Sequence, residues 1–294
     1  MELGRFGIWT AAFDSQPANA ARELAAEVES LGWGAIWIPE AVGRDSLLAS
    51  ALALSGSERI SVATGIASIY ARDAMAMAAG HRTLSEWFPG RFVLGLGVSH
   101  PMFVEGMRGH TYGPPLATMR TYLEAMDAAP YYGAAPSAPP ERVLAALGPK
   151  MLALSASHAQ GAHPYNVTPE HTKDARAILG AGPVLAPDQK VILETDPATA
   201  RAAAREALSI YLTLPNYVNN FRRLGFEEED VTGGGSDRLM DAIFAWGTVD
   251  QIVGRLREHL DAGADHVAVN VVAGERGVPP VAAWRQLAAA LDLS

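Results

Sequence analysis

The chain has 294 residues, 49% of them hydrophobic, enough to bury the core of one α/β barrel or of two smaller domains. Its 32 acidic residues outnumber 23 basic ones, and the formal charge of -9 argues against a broad nucleic-acid or anionic-membrane surface. The absence of cysteine removes disulfides, thiolate zinc sites and iron-sulfur clusters together.

Residues 1–10 lack a basic start followed by a long apolar run, and no apolar stretch approaches about 18 residues, so a cytoplasmic protein with no membrane partner is expected. A strand at 6–9 precedes a helix at 17–31, where Leu24, Val28 and Leu31 fall on one face. A strand at 35–38 leads into a helix near 46–54, and a strand at 60–66 into a helix at 73–87. The run Gly90-Arg91-Phe92-Val93-Leu94-Gly95-Leu96-Gly97-Val98-Ser99-His100-Pro101 reads as a fourth strand, buried on both faces and followed by polar groups, with its helix near 116–128. The fifth strand, 142–147, stops at Gly148-Pro149, and Pro149 suits a first helical position, where its missing N–H costs nothing. A short sixth strand at 161–163 precedes the capped start Thr168-Pro169-Glu170, and a seventh at 190–194 precedes Asp196-Pro197. Thr248 and Gln251 form a capping box for an amphipathic helix, a strand at 266–272 is the eighth, and a helix at 281–291 closes the chain.

Eight strands interleaved with helices, with no clear linker or repeat, predict an α/β protein forming one (β/α)8 TIM barrel over residues 1–294, with insertions after the fourth and seventh strands. The first insertion runs from about 101 to 115; the second, about 209–246, carries Tyr211, Tyr217, Phe221, Phe226 and three consecutive glycines at 233–235. A segment of this kind is a lid or binding wall, or else a surface excursion that supports a dimer.

Candidate chemistry lies at the strand ends. Gly148-Pro149-Lys150-Met151 opens a helix, so free N–H groups and the positive end of the helix dipole face any anion placed there, as in a phosphate cradle; an ordinary Gly-Pro helix start with a solvated lysine reads equally from the letters. In Thr64-Gly65-Ile66-Ala67-Ser68-Ile69-Tyr70, the glycine admits a planar ligand or gives room inside the barrel. Glu40, after the second strand, is an acid or base if partly desolvated, and otherwise a cap or ion-pair partner. His100 and His163 fall at strand ends, with His110 and His171 nearby, and each is either functional or a hydrogen-bonded structural histidine. No histidine pair has metal-binding spacing, so no metal is expected; there is no Gly-x-Ser-x-Gly elbow, and Gly95-Leu96-Gly97 lacks the third glycine of a dinucleotide fingerprint.

Taken in order, the segment Trp37-Ile38-Pro39-Glu40-Ala41-Val42-Gly43-Arg44-Asp45, residues 63–73, residues 90–101, Leu147-Gly148-Pro149-Lys150-Met151, Gly161-Ala162-His163-Pro164-Tyr165 and Ala262-Gly263-Ala264-Asp265-His266-Val267 resemble the luciferase-like monooxygenase superfamily. Within it the chain is similar to actinobacterial F420-dependent oxidoreductases, over nearly its whole length. The resemblance implies a TIM barrel holding a deazaflavin, F420, or alternatively FMN, at the carboxyl ends of its strands. It implies a non-prolyl cis peptide near Gly65-Ile66, cofactor contacts from Gly65, Ile66, Ala67, Ser68, Val98, Ser99, His163 and Tyr165, and the cofactor phosphate at Gly148, Pro149, Lys150 and Met151. The implied reaction is hydride transfer between carbon 5 of F420 and a small organic substrate, with Glu40 and His100 as catalytic candidates for moving the proton. Sugar-phosphate dehydrogenases of this superfamily carry a histidine near the end of the second strand, where this chain has Pro39-Glu40-Ala41, so their substrate does not transfer. Tyr211, Tyr217 and Phe221 suit a rather apolar substrate. An FMN-dependent monooxygenase, a non-catalytic F420 or flavin-binding protein and a barrel hydrolase, which would require a bound metal, are the alternatives, and a homodimer is expected because the superfamily commonly pairs barrels.

Overall fold

The computed structural model describes residues 1–272 and 277–293. Among them, 11 strands pair in parallel throughout: β1 (Phe6–Trp9), β2 (Ala35–Ile38), β3 (Ser61–Thr64), β4 (Ala67–Ser68), β5 (Phe92–Gly97), β6 (Glu141–Leu144), β7 (Gly161–Ala162), β8 (Val184–Leu185), β9 (Asp188–Ile192), β10 (Phe244–Trp246) and β11 (Val267–Val271). Their order is β10-β9-β11-β1-β2-β3-β5-β6-β7-β8, with β4 added to β5. β8 and β9 are consecutive parts of one run. β8 pairs with β7 and β9 with β11, while Ala186 N donates to Ala162 O and Ala268 N to Pro187 O, each at 2.9 Å. The two sides of the sheet therefore meet in residues 184–192, giving a TIM-barrel-like α/β fold.

Alternation of side chains sorts the interior. Ile36 and Ile38 of β2 face the outer helices, whereas Ala35 and Trp37 join Ala63, Val93, Val143 and Ala268 inside the curved sheet. The helix signals hold: Thr168 accepts from His171 N, Asp196 from Thr199 N, and the Thr248–Gln251 box makes both of its bonds. Two strands differ from expectation. The third stops at Thr64 and resumes as β4 beyond residues 65–66, and the seventh begins six residues earlier than 190, at Val184, because Pro187 has no N–H to continue the ladder and splits the run.

The predicted first insertion holds a short helix, Pro101–Val104. The second is ordered: a 3-10 turn (Tyr211–Thr213), helices Pro215–Arg223, Glu228–Val231 and Asp237–Ile243, then β10. It packs Phe221, Phe226, Leu239 and Met240 against Ala204 and Leu208 of helix Pro197–Leu208. β10 pairs with β9 over Lys190–Ile192, beyond the reach of the two-residue β7, and so ties this segment to the barrel wall. No helix among the described residues is long and apolar enough to cross a membrane.

Candidate functional site

The carboxyl ends of the strands converge around residues 64–68. The Gly65-Ile66 peptide is cis, at the place the family resemblance implies. Gly65 N donates to Ile38 O and Trp9 Nε1 donates to Gly65 O, each at 2.8 Å. A Cβ on Gly65 would lie 2.9 Å from Trp9 Nε1, so the glycine answers the closeness of two tryptophans, Trp9 and Trp37. Gly95 and Gly97 clear room for the same turn. A Cβ on Gly95 would collide with the Thr64 carbonyl, and one on Gly97 with the Ile66 side chain. Ala67 and Ser68 are buried, paired opposite Leu96 and Gly97, and of residues 65–68 only Ile66 is partly exposed.

Glu40 does not sit there as a free acid or base. Its carboxylate accepts from Ser46 N at 3.1 Å, Ser68 N at 2.9 Å and Arg72 at 3.0 and 2.5 Å, with 4% of the side chain exposed. Burial opposes its ionisation, but the Arg72 and Ser68 hydrogen bonds outweigh it and hold the carboxyl below the usual range. Glu40 is thus an ionised anchor between β2, β4 and the helix Ser46–Ser55, which corrects its assignment as a proton carrier. His100 is half-buried, its ring against Phe103 and Tyr217 at 6.4 and 5.9 Å between centroids. Burial pushes its pKa down, so it is a neutral imidazole near pH 7. Ser99, at φ 54°, turns the chain into it, and Val98 packs on the core.

Two further residues take structural places. His163 is 1% exposed, donates from Nδ1 to Ala186 O at 2.6 Å and stacks on Trp37 at 4.1 Å, which puts it inside the barrel rather than against a ligand at the mouth. Phe221 is fully buried against Phe226 in the core of the 209–246 segment and does not line a substrate space. Tyr211 and Tyr217 do meet the mouth, edge to face at 4.9 Å, Tyr217 reaching His100 and Tyr211 reaching Tyr165 at 5.6 Å.

Gly148 caps helix Pro149–His158 without a side-chain cap. Met151 and Leu152 N–H groups turn back to the Gly148 carbonyl, which leaves the Gly148 and Lys150 N–H groups with no backbone acceptor among the described residues outside the helix. Helix Pro215–Arg223 brings Arg223 to this point: its Nη2 lies 3.6 Å from where a Cβ on Gly148 would stand, and donates to Asn220 Oδ1 at 2.9 Å. The Lys150 side chain is exposed and Met151 leans on the core, so the anion-attracting groups are backbone N–H and the Arg223 guanidinium.

A buried charged group stands beside the mouth. Lys190 and Asp188 are two apart in β9 and so project to one face, with Nζ 3.5 Å from Oδ1 and side-chain exposures of 5% and 0%. Lys190 Nζ lies 3.6 Å from the Tyr165 ring centroid. Asn270 Nδ2 donates to Asp188 Oδ2 at 2.8 Å and to the Tyr165 hydroxyl at 3.4 Å. Burial lowers the Lys190 pKa to about 8 against the opposing pull of Asp188, and burial raises that of Asp188, opposed by Lys190 and Asn270. Lys190 escapes a reading of the sequence because the strand is split at Pro187; the usable signal is opposite charges at i and i+2 on a barrel strand.

The family model described as luciferase-like monooxygenase matches residues 3–266. Rv3520c of Mycobacterium tuberculosis, a protein named for coenzyme F420-dependent oxidoreductase activity, is 36% identical over 125 residues, spanning 42% of this chain and 35% of that protein. The fold is similar to that of an F420-dependent secondary alcohol dehydrogenase solved with an F420-acetone adduct, at TM-score 0.75 and 12% identity, covering 97% of this chain and 96% of that one. It is also similar to the coenzyme F420-dependent tetrahydromethanopterin reductase of Methanopyrus kandleri, at 0.70 and 17%, covering 97% of each. The oxygenating constituent of 3,6-diketocamphane monooxygenase from Pseudomonas putida, solved with FMN, gives 0.68 and 14%, covering 97% and 96%. With the match running through β1 to the start of β11 and the strand ends converging on a single mouth, the chain belongs to the luciferase-like monooxygenase family.

Proposed function

We propose that this protein is an F420-dependent oxidoreductase that transfers a hydride between the coenzyme and a small organic substrate. The observation that carries this reading is the cradle at Gly148, where unpaired helix-start N–H groups and the Arg223 guanidinium fit a phosphate, in a chain 36% identical to Rv3520c over the matched segment. Bound there, the coenzyme would supply hydride chemistry at carbon 5 of its ring, donating when reduced and accepting when oxidised.

The chain's own residues supply the rest. Gly148, Lys150 and Arg223 hold the anionic tail, and Ile66 with Val98 and Ser99 borders the ring. Tyr211 and Tyr217 exclude water above it, as parts of a 209–246 segment that acts as a lid within one barrel domain. Of the two proton carriers suggested by the sequence, Glu40 is occupied by Arg72, and His100 keeps an open face at the mouth.

Anaerobic turnover tests the reading. Reduced F420 should be oxidised by at least one member of a panel of ketones, aldehydes and enones in the presence of the protein. Oxygen-dependent turnover with reduced FMN and none with F420 favours a flavin monooxygenase on the same scaffold instead. Binding without turnover of any acceptor favours a carrier.

A further inference from the structure

We propose that Tyr165 is the proton donor of this site, delivering its hydroxyl proton to the oxygen of a carbonyl-class substrate, with Lys190, fixed by Asp188, as the positioning cation beneath its ring. The proposal rests on the coenzyme reading above. Tyr165 is half-buried at the mouth, between Trp9 at 5.3 Å, whose indole holds the Gly65 carbonyl, and Tyr211 at 5.6 Å. Its oxygen accepts from Asn270 Nδ2 and lies against the Tyr211 hydroxyl, both at 3.4 Å, and between the two hydroxyls either oxygen can donate. Asn270 can only donate there, so the Tyr165 O–H proton faces no acceptor but the Tyr211 hydroxyl and is free to turn to a substrate oxygen.

Beneath the ring, Lys190 Nζ at 3.6 Å favours any negative charge that appears on the phenol oxygen. That attraction is stronger after proton transfer than before it, which is the condition for lowering a barrier rather than tightening ground-state binding. Asp188 and Asn270 keep the ammonium and the hydroxyl in register. Asn166, the next residue, has both side-chain polar atoms buried without a protein partner, a further polar demand at the same place. His100 is a poorer donor, since burial keeps its imidazole neutral, and burial holds Tyr165 well above the usual phenol range, so it enters the reaction as a hydroxyl.

The step balances as a carbonyl reduction. The carbonyl carbon would accept a hydride, with its electron pair, from the reduced coenzyme, which is thereby oxidised, and the C=O π pair moves to oxygen. The Tyr165 O–H bond then breaks, leaving its pair on the phenol oxygen, a new O–H bond forms on the substrate, and water reprotonates the tyrosinate. Titratable groups facing the cation are Asp188 on its own strand, Tyr165 and His163 from the β7 side, and Tyr211 from the 209–246 segment, with Tyr217 packed behind Tyr211. Because Lys190 loses its charge as pH rises through about 8, turnover falls over that range.

The test uses the full chain. Tyr165→Phe keeps the F420 dissociation constant within about threefold and lowers turnover by about 100-fold or more. The alkaline limb is absent in Lys190→Met and moves to higher pH in Lys190→Arg. Should Lys190→Met fail to fold, the Asp188→Asn/Lys190→Met double variant, which removes both buried charges, replaces it. In coenzyme-free protein, the Tyr165 ζ-carbon NMR signal ionises at higher pH once Lys190 is removed. Turnover of Tyr165→Phe within about threefold of wild type, or a Tyr165 signal indifferent to Lys190, overturns the proposal and leaves the coenzyme reading standing. A wild-type protein that binds neither F420 nor FMN overturns both.

Discussion

At the scale of single residues, Glu40 gathers Ser46 N, Ser68 N and the Arg72 guanidinium onto one carboxylate, and Arg72 also pairs with Asp45. Glu40→Gln leaves a half-buried guanidinium short of one partner and is expected to lower unfolding free energy by about 3 kcal/mol. Urea titration checks this; a loss below about 1 kcal/mol means the pair is ordinary surface chemistry. Gly95→Ala pushes a methyl into the Thr64 carbonyl and is expected to cost about 3 kcal/mol by the same measurement. Both residues are visible in the sequence as features of a strand end, and their partners are not. For Glu40 the letters leave acid-base and ion-pair roles both open, because Arg72 lies 32 residues away and only the folded mouth brings them together. Gly95 and Gly97 make room for the Thr64 carbonyl and the Ile66 side chain, atoms of a turn about 30 residues earlier in the chain.

Among the elements, those with local signatures were legible. Apolar runs located the strands, and cap residues located helix starts, because a cap acts within three residues and needs no tertiary partner. Thr248→Ala, which removes one half of a capping box whose two bonds measure 2.8 and 3.4 Å, is expected to lower stability by about 1 kcal/mol, read from the denaturation midpoint at unchanged m-value. Long-range juxtapositions were not legible. Nothing near Gly148 announces that helix Pro215–Arg223 will place Arg223 beside it, and nothing near Pro187 announces that the strand spans 184–192. If that arginine serves an anionic coenzyme tail, Arg223→Met weakens F420 binding about tenfold and flattens its salt dependence, with stability unchanged.

Across the whole molecule, five histidines, His81, His163, His171, His259 and His266, are buried as neutral hydrogen-bonding groups. His266 donates from Nδ1 to Gly4 O and accepts from Trp37 Nε1, and His259 bridges Thr172 and Gln189. Burial pushes His81, His163 and His266 down to about 4 and His259 to about 3, from an ordinary value of 6.5. The unfolded chain therefore takes up protons first. The stability these residues support is complete above pH 6.5 and drains away as pH falls from 6.5 through about 4, so the thermal midpoint drops steadily over that window. A midpoint constant across it contradicts their neutral burial. The barrel architecture itself was legible from the alternation of strands and helices, while the chemistry of its mouth depends on Arg72, Arg223 and the Asp188–Lys190 pair, which only the closed sheet brings into place. Equilibrium titration of the purified protein with F420 and, in parallel, FMN, followed by absorbance and fluorescence, tests the coenzyme site most directly. An F420 site predicts saturable binding at micromolar concentration or below, tighter than FMN and weakened in Arg223→Met; binding of neither coenzyme at micromolar concentration contradicts it.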